Sequence, residues 1–179
     1  MPFAQLLAQL RDDRALVYVC REGIRDPGIR GYIGEVSDEL VRIEAVTDHI
    51  RTDGLIILNL DDITFLRWDT AKMKAWSRVV EVREADKTFD ATLDISDWRT
   101  LLASLEGTGR LVSLYREKLD GEFCYFTREF SMTYDLIVAS HVNSDEGENG
   151  SFAIRVEDLT RIDLGGEYET GLKRVLESR

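Results

Sequence analysis

The chain has 179 residues, 44% of them apolar, with 34 acidic against 23 basic side chains and a formal net charge of −11. That length suits one large domain or two of about 90 residues, and the apolar share excludes a disordered chain. Both halves are net acidic, which disfavours unspecific binding to nucleic acid or to an anionic membrane surface.

The opening MPFAQLLAQLRDD lacks the positive start and apolar core of a secretory signal. No window approaches 18 uncharged apolar residues, so no membrane-spanning helix is expected. Phe3, Leu6, Leu7 and Leu10 recur at helical spacing and predict a first helix. A strand over 15–22 follows, then the turn GIRDPG, a strand over 30–37 and another over 39–47. In the last of these Leu40, Arg42 and Glu44 lie opposite Val41, Ile43 and Ala45. The polar loop TDHIRTDG leads to a fourth strand, IILNL. Asp61 and Asp62 then open a short turn into a fifth, ITFLRW.

Between 69 and 96 AKMKAW reads as a helix, while VVEVRE and TFDATLDI alternate and are expected to pair as a hairpin across 85–87. Asp97 then stands as the N-cap of a helix bearing Trp98, Leu101, Leu102 and Leu105, which Gly107 and Gly109 end. Strands are predicted over 111–117, 123–131 and 135–142. The loop NSDEGENG, the strand FAIRV, the turn at Glu157 and Asp158, the strand LTRIDL and a helical YETGLKRVLE complete the chain. Leu16, Val41, Ile43, Ile57, Leu111, Leu136, Val138 and Ile154 are the expected core of these strands. Cys20 and Cys124 sit inside apolar strand-like runs, which predicts buried free thiols and a reduced, cytoplasmic setting.

The two halves answer one another. LLAQL at 6–10 returns as LLASL at 101–105, Leu16-Val17 as Leu111-Val112, and Arg21-Glu22 as Arg116-Glu117, each 95 positions on. Small insertions follow, after which Tyr32 matches Tyr125, Gly54 matches Gly150, Asp62 matches Asp158 and Thr64 matches Thr160. A chance likeness of two leucine helices would not carry a collinear series of strands with it, so the order points to one unit copied within the chain. The expected division is 1–76, a linker or hairpin insertion at 77–96, and 97–179.

A helix followed by five short, bent antiparallel strands, with a tight turn before the last, resembles the Sm-like fold over about residues 3–68 and 98–164. The stretches Ser37-Asp38-Glu39-Leu40-Val41, Asp53-Gly54 and Asp62-Ile63 are also similar to those of a group of bacterial barrel proteins of uncharacterised function. The resemblance implies a mainly β, α+β protein of two tandem five-stranded barrels, each preceded by a short helix. It also raises RNA binding. However, Asp61-Asp62-Ile63 and Glu157-Asp158-Leu159 place acids where that family places an Arg-Gly pair.

No phosphate-binding glycine loop, HExxH or CxxC is present. His49 and His141 read as solvated loop residues, and no catalytic, metal or cofactor residue is expected. What stands out is a small basic patch of Arg21, Arg25, Arg30 and Tyr32 near the first hairpin, with Trp68 on an apolar edge. The expectation is a non-enzymatic interaction module that recognises a protein partner through its barrel edges, as a monomer or homodimer. The alternative is RNA binding through the basic hairpin.

Overall fold

The computed structural model of the protein describes residues 2–24, 28–83, 93–121, 123–143 and 147–178. In the first half, α1 (Phe3–Asp12) lays Leu7 and Leu10 on the sheet and hands over to β1 (Leu16–Cys20), β2 (Ile29–Val36), β3 (Leu40–Val46) and β4 (Thr52–Asn59). A 3-10 turn, Leu60–Asp62, swings the chain into β5 (Phe65–Trp68), and α2 (Ala71–Arg83) follows. The second half follows the same plan with one departure: where one strand over 123–131 is expected, as in the first half, two short strands lie in different sheets. It comprises α3 (Trp98–Leu105), β6 (Val112–Tyr115), β7 (Cys124–Thr127), β8 (Phe130–Thr133), β9 (Leu136–Asn143) and β10 (Gly147–Arg155), then a 3-10 turn at Val156–Asp158, β11 (Arg161–Leu164) and α4 (Glu167–Glu177). The Asp97 carboxylate accepts from Thr100 N at 2.8 Å, capping α3 as its sequence foretells.

The strands are all antiparallel and form two sheets, one ordered β5-β1-β2-β3-β4-β11-β6-β7 and the other β10-β9-β8. The protein is thus mainly β with four helices among the described residues. Among the described residues no closed barrel forms, where two were expected. The physical reason lies at β4, whose outer edge is taken by β11 of the other half, with Leu58 opposite Arg161 and Leu55 opposite Leu164. A strand already paired on both sides cannot close onto β5.

That placement makes β4 apolar on both faces. Leu55 and Ile57 enter the core of the second half, with Trp98, Leu101, Leu102 and Leu105 of α3. Ile56 and Leu58 enter the core under α1, with Leu7, Leu10, Val17 and Val41. The run GLIILNL is therefore continuous in hydrophobicity instead of alternating, as a strand buried on both sides must be.

Two expectations are corrected. VVEVRE is not a strand: Val79 to Arg83 continue α2, because Met73 and Val80 fall seven residues apart on one helical face and pack with Leu16, Tyr32 and Val46. Of the other arm, 88–95, residues 88–92 lie outside the described residues together with the turn at 85–87, while Leu93 and Ile95 are buried against α3. Along β9 the phase is also inverted. Ile137, Ala139 and Val142 are buried, whereas Leu136 and Val138 are 36% and 42% exposed. LIVA offers no alternation to read, so the pairing of Met132 with Ile137 sets which face turns inward. Leu16, Val41, Ile43, Ile57, Leu111 and Ile154 are buried as expected.

Candidate functional site

The densest polar construction lies on the seam between the halves. After each 3-10 turn a threonine fastens the returning chain. Thr64 N donates to Cys20 O, and Thr160 N donates to Tyr115 O, both at 3.0 Å. Each hydroxyl oxygen accepts from the glutamate two residues past the first strand of its half: Glu22 N reaches Thr64 Oγ1 at 2.8 Å, and Glu117 N reaches Thr160 Oγ1 at 3.0 Å. The Glu117 carboxylate then receives the Arg21 guanidinium of the first half in a fork, Nη2 to Oε1 at 2.8 Å and Nη1 to Oε2 at 2.8 Å. Arg21 Nη1 also donates to Thr160 O at 3.3 Å, and the arginine is only 1% exposed. Such a pair is held in place because breaking it would leave each buried charge without its closest counter-ion.

Further contacts close the same seam. Asn59 donates to Leu159 O at 3.0 Å and accepts from Trp98 Nε1 at 2.7 Å. Lys118 Nζ donates to Asp62 Oδ1 at 2.5 Å, and Glu167 N donates to Asp53 Oδ1 at 2.6 Å, which caps α4. Gly54, at φ +72°, allows β11 to pass: a Cβ there would stand 2.3 Å from Leu164 O. Asp62 is thus more than a turn former, since it anchors Lys118 across the seam.

Behind the seam, under α4, sits a buried polar cluster. Arg161 makes a two-point bond to Asp163, both at 2.6 Å, and Ser113 Oγ donates to Glu169 Oε1. Burial pushes the Asp163 carboxyl up to about 6, against the pull of Arg161. Burial would lower Arg161, yet the charge of Asp163 outweighs it and holds the guanidinium above its usual value. Burial raises Tyr115 and Cys124 as well, so Cys124 is a protonated thiol and a poor nucleophile. The native state holds the Asp163 proton more tightly than the unfolded chain does. That contribution favours the fold below about pH 4 and is lost as pH rises through about 6. Urea midpoints across this range should therefore show the wild type losing up to about 3 kcal/mol relative to Asp163→Asn. Parallel pH profiles for the two proteins would contradict this.

Two open grooves flank the helices. One, of about 940 Å³, lies between the start of β4, the end of β11 and α4, and carries Arg51, Arg110, Lys173 and Arg174 alongside Asp53 and Glu167. The other, of about 750 Å³, lies between α1, α2 and the end of β5, at Arg14, Trp68 and Lys74. Among the described residues no group of three His, Cys, Asp or Glu is placed to hold a metal ion.

The residues singled out in the sequence do not converge. Arg21 is consumed by Glu117 at the seam, and Arg25 lies outside the described residues. Arg30 pairs with Asp48 and lies over the Trp76 ring, 4.9 Å from its centre. Tyr32 is 2% exposed, sits under α2 and donates to Ser77 Oγ at 3.0 Å. Trp68 alone is open, 40% exposed on β5; Phe65, equally exposed, lies on the opposite face of the strand. His49 occupies a turn, where its carbonyl accepts from Arg83, while His141 lies within β9 with its ring edge-on to Phe152, not in a loop. The Arg21–Glu117 pair escaped the sequence, although the recurring Arg-Glu dipeptide that supplies it was in view. No helix is long and apolar enough to cross a membrane among the described residues. Compared with family models, curated proteins and solved structures, the chain matches none.

Proposed function

We propose that the chain is a binding module, working in the cytoplasm without bond making, that takes up a protein partner along the open edge of its large sheet. The observation that carries this reading is β5. It pairs with β1 on one side and with no described strand on the other, and it presents Phe65 and Trp68, each 40% exposed. An apolar edge of this kind offers main-chain groups and side-chain anchors to an added strand. We take the halves as copies of one Sm-like unit. In support, Val17 faces Trp68 as Val112 faces Leu164, and the two threonines make matching bonds. The basic hairpin does not favour RNA, because Arg21 and Tyr32 are buried and Arg30 is paired.

Co-purification of the tagged protein tests this, with bound nucleic acid read by absorbance ratio and proteins by mass spectrometry. A stoichiometric protein, lost on Phe65→Asp/Trp68→Asp with the melting temperature unchanged, is the expected result. A single-stranded RNA should bind no tighter than about 10 μM at physiological salt. Sub-micromolar RNA binding would overturn the reading.

A further inference from the structure

The groove between β4, β11 and α4 runs against the charge of the molecule. The chain carries a formal −11, yet this lining holds four basic side chains, Arg51, Arg110, Lys173 and Arg174, against three acidic ones. Two of those acids are spent on the fold. Asp53 accepts from Glu167 N at the head of α4, and Glu169, 6% exposed, accepts from Ser113. Glu167 is left as the acid at the mouth. The turn before Arg51 supplies no counter-ion either, since Asp48 is taken by Arg30. Arg51 and Arg174 are exposed and have no ion pair among the described residues. Lys173 has Glu177, at 3.7 Å, one turn along its own helix. Cations brought together from two separate elements repel one another, so gathering them adds nothing to the fold until an anion lies among them.

We propose that this groove binds an acidic, extended peptide segment of a partner, whose carboxylates take Arg51 and Arg174. The chemistry of the lining selects that class. No aromatic side chain lines the groove among the described residues, so a nucleobase finds no face to stack on. Leu55, Leu111 and Leu164 line its base, an apolar surface that a bare polyphosphate cannot use. At about 940 Å³ and open to solvent, it suits a segment of chain passing through better than a small molecule that needs enclosure. From Glu167 to Arg174 α4 runs about 10 Å, the reach of roughly three residues of extended chain. Successive side chains of such a segment point to opposite faces. Alternating acidic and apolar residues therefore set apolar groups on the leucines and carboxylates at the rim, where a guanidinium can grip each at two points. The site is separate from the β5 edge, which ends the large sheet while β4 lies in its middle.

Fluorescence anisotropy on the full chain tests this, with a fluorescein-labelled peptide of about eight alternating glutamates and leucines as the probe. At about 50 mM salt the probe should saturate with a Kd below about 100 μM. Arg51→Glu/Arg174→Glu should weaken it about tenfold or more with the melting temperature unchanged. The same double variant should take up the matching lysine–leucine peptide, which the wild type refuses. Phe65→Asp/Trp68→Asp should bind the acidic probe as the wild type does, so that failure here and failure of the β5 reading are told apart. The proposal falls if the probe does not saturate, or if R51E/R174E binds it within about twofold of the wild type. It falls equally if inorganic tripolyphosphate binds more tightly than the peptide, which would make the occupant a small polyanion.

Discussion

Glu117→Ala should be the most damaging single truncation at the seam, costing about 3–5 kcal/mol. The carboxylate receives both terminal nitrogens of Arg21 and the Thr160 hydroxyl, the last at 2.8 Å. Removing it strips a guanidinium that is 1% exposed of its forked carboxylate. For a chain of this length such a loss lowers the melting temperature by about 10 °C. Removing both partners tells the pair's worth from the cost of orphaning one: Arg21→Met/Glu117→Leu should recover much of the loss, because neither charge then remains to be solvated. Thermal melts of the three proteins measure it. A single variant that melts within a degree or two of the wild type would show that water or another acid takes over from Glu117.

The second large effect is expected at Ile57, which is 0% exposed. Truncating it to Ala should cost about 3 kcal/mol through lost burial and the cavity left behind. Its diagnostic value lies in where the loss is felt. Ile57 belongs by sequence to the first half but packs with Trp98, Leu101 and Leu102 of the second. With Trp68 and Trp76 replaced by Phe, urea unfolding followed by Trp98 fluorescence and by far-UV circular dichroism should give one shared transition, displaced to lower urea in both signals. A Trp98 transition left where it was would mean that β4 does not complete the second core.

Much of the architecture was legible. Helical spacing found α1 and α3, the polar turns found most strand boundaries but not the break between β7 and β8, and the acidic pairs marked both 3-10 turns. These are local signals, each decided within a few residues. What failed were features decided at a distance. The continuous apolar run of β4 reads equally well as an edge that must be covered by something; that the cover is β11 follows only from pairing across about a hundred residues. LIVA in β9 gave no phase, and VVEVR alternates as a strand does, while Val80 within it serves the buried face of α2 and Val82 is left exposed. The basic patch failed for a related reason. Arg21 and Tyr32 have the composition of a surface, yet their burial depends on Glu117 and on α2, neither of which is a neighbour in sequence.

The two-faced burial of β4 also bears on how the chain comes into being. Synthesis completes β4 long before it reaches Leu164, and at about 5–20 residues per second that interval lasts roughly 5–20 s. During it α1 can already shelter Ile56 and Leu58, but Leu55 and Ile57 point away from the only core yet made, and the backbone edge beside them has nothing to pair with. An apolar strand held open in this way is where neighbouring nascent chains on one message would meet. The ordering of the halves therefore sets a window of vulnerability at the ribosome, and it ends only when the last strand arrives.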